Sequence, residues 1–315
     1  MAKQKTNPQE DWQTALSVKF NRPVPDLNQK ADSSNGNLGW EYYKAYFQDI
    51  HTAQGQQEII KRNNNLLKRA LPRENSLIRI DSGEEGFQLC IAYPGLVTGI
   101  GTTHETGKAE GEFKLGFAFD HTTGVPYIPG ASIKGKLRSF FPDYLRQQAK
   151  DKKDSKSKQD LKSVAQHRED YMLYVINVLL KDELGLEKEL DNSQLTNLEK
   201  DIFEGLGYNE KTKKYEPKNI YQRDIFLDAY VCEAEKGLLG SDSITPHPHP
   251  LKNPIPITFL KILPKVYFHF QFDVKDCQVG EVIFKSEHKI ELFKFLLQQH
   301  GIGAKTRVGY GQFEI

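Results

Sequence analysis

Residues 266–272 read VYFHFQF, and that run constrains the fold more than any other part of the chain. Side chains of a strand alternate between two faces, so Val266, Phe268, Phe270 and Phe272 share one face and Tyr267, His269 and Gln271 the other. A face of three phenylalanines and a valine has to be covered by other elements of the chain. Further runs at 87–93 (FQLCIAY, closed by Pro94-Gly95), 113–119 (FKLGFAF) and 224–231 (DIFLDAYV) also read as strands. Helical spacing appears between them. Tyr43, Phe47, Ile50, Ile59, Ile60, Leu66 and Leu67 recur three and four apart over 40–70, and Pro72 ends that region. Helices are expected at about 133–148, with Ser132 as N-cap, and at about 171–181 and 195–203. Another, capped by Ser286, should reach about His300, with Gly301 as C-cap. A polar hairpin or loop is expected over 205–221, a long loop over 237–258, and a closing strand after the last glycines. Strands mixed with helices that pack on them define an α+β fold.

Composition narrows the function. Lysine and arginine total 43 and aspartate and glutamate 42, a formal net charge of +1. That balance excludes a uniformly cationic nucleic-acid coat, so any polyanion must be met by local basic surface. Hydrophobic residues at 38% and charged residues at 27% describe a folded polar globule rather than a disordered chain. Cys90, Cys232 and Cys277 are odd in number and lack CxxC spacing, so they read as small core residues. The N-terminus has no apolar signal-like stretch, and no apolar run approaches the ~20 residues of a membrane span. The expectation is a soluble cytoplasmic protein.

Four segments could carry chemistry. Ser132-Ile133-Lys134-Gly135-Lys136-Leu137-Arg138 places three cations and no acid at a helix start. Helix N-termini bind phosphate, and Lys134 and Arg138 lie four apart on one face. Residues 301–311 (GIGAKTRVGYG) frame Lys305, Thr306 and Arg307 with Gly301, Gly303, Gly309 and Gly311. This is not a Walker loop, because its GK[ST] ending is missing, but a flexible cationic loop can still hold a sugar-phosphate chain. The loop 95–111 holds five glycines with His104, Glu105 and Lys108; His104 and Glu105 could form an acid–base pair, although neighbours on an extended backbone point apart. His247 and His249, with Asp242 nearest, form an incomplete metal set, and the alternating prolines around them impose an extended loop. No metal or cofactor is expected. Residues 146–162 carry seven basic and three acidic residues and read as a solvated linker or insertion.

In order, these pieces resemble the RAMP superfamily of CRISPR-associated proteins. Residues 127–138 (YIPGASIKGKLR) are similar to its PYIPGSSIKGALR signature, and 301–313 resemble its C-terminal glycine-rich loop. Ile225-Phe226-Leu227-Asp228-Ala229, Thr245-Pro246-His247 and residues 96–101 (LVTGIG) resemble further landmarks. The resemblance spans roughly 86–315. It leaves 1–85 as an N-terminal arm and helical region, with a charged insertion around 146–166. It implies an RRM/ferredoxin-like RAMP core, an antiparallel sheet with packed helices, elaborated by helical insertions.

Within the superfamily the likeness is to a single-copy subunit of type III-B (Cmr) RNA-guided complexes. That implies a non-catalytic structural role, holding guide (CRISPR) RNA toward its 3′ end, near target RNA and other Cmr subunits. The sequence carries no RNP-type aromatic motif, so the RNA contacts expected are Ser132, Lys134, Lys136, Arg138, Gly301, Gly303, Lys305, Thr306, Arg307, Gly309, Gly311 and His104, engaging backbone rather than bases. Two alternatives stay open: a guide-processing ribonuclease using His104, or the repeated backbone subunit that cleaves target RNA.

Overall fold

The computed structural model describes residues 37–69, 71, 85–99, 109–186, 188–209, 211–245 and 256–315, all within one compact unit, 37–315. Residues 1–36, His104, Glu105, Lys108, His247 and His249 lie outside the described residues. In chain order the elements that build the sheet and its helical cover include α1 (Ile59–Leu67), β1 (Glu85–Cys90), β2 (Tyr127–Ile128), α2 (Gly130–Arg138), α3 (Asp143–Asp151) and α4 (Ser155–Tyr174). They continue with α5 (Asn192–Glu204), β3 (Leu206–Asn209), β4 (Lys214–Pro217), β5 (Ile225–Phe226), β6 (Ala229–Ala234), β7 (Leu239–Ile244) and β8 (Ile257–Ile262). β9 (Val266–Asp273), β10 (Cys277–Val279), β11 (Val282–Phe284) and α6 (Ser286–His300) complete the set.

The aromatic run forms the centre of the main sheet. β9 pairs antiparallel with β1 on one side and with β6 on the other, and β2 adds to β6 at the outer edge. The C-terminal segment lies along β1, through an antiparallel bridge between Ile91 and Phe313 and a bond from Glu314 N to Cys90 O of 2.9 Å. The spatial order is therefore C-terminal segment, β1, β9, β6. With α2 and α6 as the two crossover helices, that is the ferredoxin-like arrangement. Val266, Phe268, Phe270 and Phe272 are fully buried, and Phe293 of α6 packs on Phe272 at 5.3 Å between ring centroids. Gln271, expected opposite the core, is buried as well.

Several expectations are corrected. Residues 113–119 form no strand; only isolated bridges at Phe113 and Phe119 remain. Phe113, Phe117 and Phe119 are buried as their alternation requires, but tyrosine hydroxyls stand in for a neighbouring strand. Tyr42 Oη donates to Leu115 O at 2.7 Å, Tyr43 Oη donates to Phe117 O, and Phe113 N donates to Tyr46 Oη at 2.9 Å. Buried backbone groups need partners, and these side chains supply them without a ladder. The same bonds join the helical run before residue 70 to the core. That run is broken into Leu38–Trp40, a π-helical turn Glu41–Ala45, Ala53–Gln57 and α1.

The expected strand over 224–231 is split into β5 and β6 around Leu227 and Asp228, both parts lying along one edge of β9. The segment 237–258 is no simple loop, since β7 and β8 pair as a hairpin; residues 246–255 lie outside the described residues. The glycine-rich C-terminus closes through bridges and a 3₁₀ turn, Thr306–Val308, instead of a regular strand.

The charged stretch 146–162 is helical, not a linker. α3 and α4 form a hairpin that hides Leu145, Ala149 and Ala165. The buried Glu199 of α5 accepts from Asp143 N at 2.6 Å and Tyr144 N at 2.9 Å, capping α3, and burial pushes its carboxyl up to about 7. α6 begins at Ser286, not after it as a cap. The acceptor at its start is Asp276 Oδ1, 2.7 Å from Ser286 N.

Candidate nucleic-acid interface

The start of α2 is built by Asp228. Ser132 is not its cap: the helix begins at Gly130, and Gly130 N donates to Asp228 Oδ1 at 2.7 Å. A Cβ at position 130 would stand 2.2 Å from Phe226 O, so only glycine lets the helix rest on the β5–β6 break. Asp228 thus supports this junction. Its carboxylate occupies the leading N–H and adds negative charge where a phosphate would sit. Ser132 is exposed on the first turn.

The three cations of α2 have different neighbours. Arg138 pairs with Glu204 of α5 at 2.5 Å and lies over the Tyr144 ring at 4.9 Å. Lys136 donates to His300 O at 3.2 Å, the last carbonyl of α6, and burial lowers its pKa. A lysine at a helix C-terminus complements the macrodipole there. Lys134 lies over the Phe226 ring at 5.6 Å and makes no ion pair among the described residues. Burial and then Arg138 lower its pKa. Gly135 is exposed, with open space where a Cβ would go. Glycine inside a helix costs about 0.5–1 kcal/mol relative to alanine. Gly135→Ala should therefore raise stability by about that amount in urea unfolding. A loss would show that the position is already packed.

The C-terminal loop folds against the entry loop after β1. Gly301 has φ +61°, Ile302 N donates to Gly311 O at 2.8 Å, Gly311 N to Gly95 O at 2.8 Å, and Ala304 N to Val97 O at 2.9 Å. Gly301, Gly303 and Gly311 permit these approaches, each facing a backbone oxygen closer than a Cβ could tolerate. Gly309 has φ +95°. Their immediate role is chain-to-chain contact. The loop carries Arg307, exposed and without an ion pair among the described residues, and Lys305, half-buried with its ammonium 5.7 Å from the Phe259 ring. Thr306 lies between them, partly exposed.

Two features escaped the sequence. Tyr93 is 84% exposed at the turn before Gly95, and Pro94 adjoins Gly309, so an open aromatic ring stands beside the cationic loop. The Tyr93-Pro94-Gly95 turn could have signalled it. Asp242 of β7 also accepts from Lys261 Nζ at 2.7 Å and Tyr310 Oη at 2.5 Å, fastening the glycine loop to the β7–β8 hairpin. Among the described residues no group of three or more His, Cys, Asp or Glu could hold a metal, and no helix is long and apolar enough to cross a membrane.

The C-terminal loop thus rests on the entry loop after β1, and the α2 segment on the β5–β6 break, of one ferredoxin-like sheet. The chain belongs to the RAMP superfamily, which residues 48–314 match. It is similar to the CRISPR system CMR subunit Cmr6 of Saccharolobus solfataricus, 27% identical over 221 residues, covering 69% of this chain and 53% of that relative. The chain thus spans about half the length of the curated relative it matches. Among solved structures it is similar to a chain in a type III-B Cmr-beta complex bound to cognate target RNA, with a TM-score of 0.46 and 21% identity over 96% of this chain and 88% of that one. It is also similar to Cmr6 from Pyrococcus furiosus, with a TM-score of 0.37 and 22% identity over 73% of this chain and 97% of that one.

Proposed function

We propose that this protein is a non-catalytic, RNA-binding structural subunit of a type III-B CRISPR (Cmr) effector complex in the cytoplasm. It holds guide RNA toward its 3′ end and packs against other Cmr subunits. The observation that carries this reading is the surface of the C-terminal loop. Arg307 is exposed and Lys305 half-buried over Phe259, on a backbone locked to the entry loop, and the exposed Tyr93 precedes Pro94, which adjoins Gly309 of the same loop. Cations that track a phosphate chain, next to an open ring on which a base can stack, make up a sequence-tolerant single-strand site. Lys134, over the Phe226 ring on α2, is a further cation without an ion pair among the described residues, while Lys136 and Arg138 hold α2 to its neighbours.

The triple variant Lys134→Glu, Lys305→Glu, Arg307→Glu should lose at least tenfold in affinity for single-stranded RNA. Its log K against log salt should be shallower by about 2, since each phosphate contact contributes about 0.7. Fluorescence anisotropy across a salt series measures both, and the RNA should emerge uncut. Unchanged affinity and slope would overturn the surface, and a specific cleavage product would overturn the non-catalytic role.

A further inference from the structure

The helical hairpin α3–α4 belongs to none of the motif segments, yet it concentrates positive charge. Asp154 caps α4, accepting from Ser157 N at 2.8 Å, and the hairpin reverses there. Lys150 and Lys158 stand four residues to either side of it, and Arg146 and Lys162 eight. An antiparallel pair of helices brings such equidistant positions opposite each other. These four and Gln166 line one cleft of about 470 Å³. The segment also contains Asp151, Asp154 and Asp160, but none of them lines the cleft.

Arg146 is neutralised by the buried Glu169 at 2.7 Å. Lys150, Lys158 and Lys162 make no ion pair among the described residues. Like charges four apart on a helix and facing each other across a seam repel, so the arrangement is unfavourable until an anion enters.

We propose that this cleft is a second site for the phosphate backbone of single-stranded RNA, separate from the C-terminal loop. It rests on the RNA-binding reading above. The lining favours RNA over an acidic protein, because a protein interface needs an apolar core and no apolar side chain lines this cleft. The i,i+4 spacing of about 5–6 Å on each helix suits a regularly charged strand.

The test uses the full chain, a fluorescent oligouridylate and the variant Lys150→Gln, Lys158→Gln, Lys162→Gln. Affinity should fall roughly tenfold or more and the salt slope should be shallower by about 2. Replacing the same three residues with arginine should keep wild-type binding, which separates loss of charge from loss of fold. If the loop variant is impaired but the glutamine variant binds as wild type, the cleft falls and the functional reading stands. If wild type does not bind RNA at all, that reading falls and the cleft with it. A glutamine variant that binds RNA normally but fails to join partner subunits identifies a protein-docking face and overturns the proposal.

Discussion

Replacing Lys289 with alanine should destabilise the protein by about 3–5 kcal/mol, the usual cost of breaking a buried ion pair from one side. Lys289 is fully buried in α6, with its ammonium 2.6 Å from Asp224 Oδ2 and 3.2 Å from Asp201 Oδ1. Asp201 belongs to α5 and also binds Lys218 at 2.5 Å; Asp224 precedes β5 and accepts from Lys275 N at 2.9 Å. One ammonium therefore joins the inserted helix, the sheet edge and the crossover helix that leads into the glycine loop. Removing it leaves Asp224 buried without its cation, held by Lys275 N, while Asp201 keeps Lys218. Lys289→Met combined with Asp224→Asn should recover much of the loss, because the remaining Lys218–Asp201 pair is balanced and no uncompensated charge is left. Urea unfolding of the single and double variants measures this. A single variant within 1 kcal/mol of wild type would mean that water reaches the carboxylates.

The parts of this fold that the sequence displays are those whose pattern is local. The alternation of residues 266–272 reports β9, and the spacing of Ile290, Phe293, Leu296 and Leu297 reports α6 with its buried face. What stayed hidden depends on partners far along the chain. The start of α2 needs Asp228, ninety-eight residues later, so the local Ser132 reading pointed three residues too late. Residues 113–119 have strand periodicity but meet a strand only at one bridge, Phe113 to Thr258 of β8, and Tyr42, Tyr43 and Tyr46 satisfy much of the rest of their backbone. The helices of 146–166 hide their seam behind alanines, which add little to a hydrophobic pattern. The three cations of α2 look equivalent in sequence, and only Glu204 and His300 distinguish Arg138 and Lys136 from Lys134.

The largest effect on the C-terminal loop is expected from Gly311→Ala. Gly311 has φ +67°, and a Cβ there would lie 1.8 Å from Ile302 O. That atom is backbone, and it cannot retreat without breaking the 2.8 Å bond from Ile302 N to Gly311 O. Gly311 N is in turn bound to Gly95 O, so the displacement also reaches the entry loop. Left-handed strain of about 1–2 kcal/mol and two lost bonds of about 1 kcal/mol each predict a loss of about 3 kcal/mol. The C-terminal segment has its own bonds to the sheet, Ala92 N to Gln312 O and Glu314 N to Cys90 O at 2.9 Å each, so the variant should keep its fold while its loop opens. Hydrogen exchange at Ile302, Ala304 and Gly311 should accelerate, and RNA affinity should fall with Lys305 and Arg307 displaced. Gly135→Ala, equally a glycine of a signature segment, should leave those amides protected. Identical exchange in the two variants would show that the loop is not held by the Gly311 contact, and that Lys305 and Arg307 owe their position to something else.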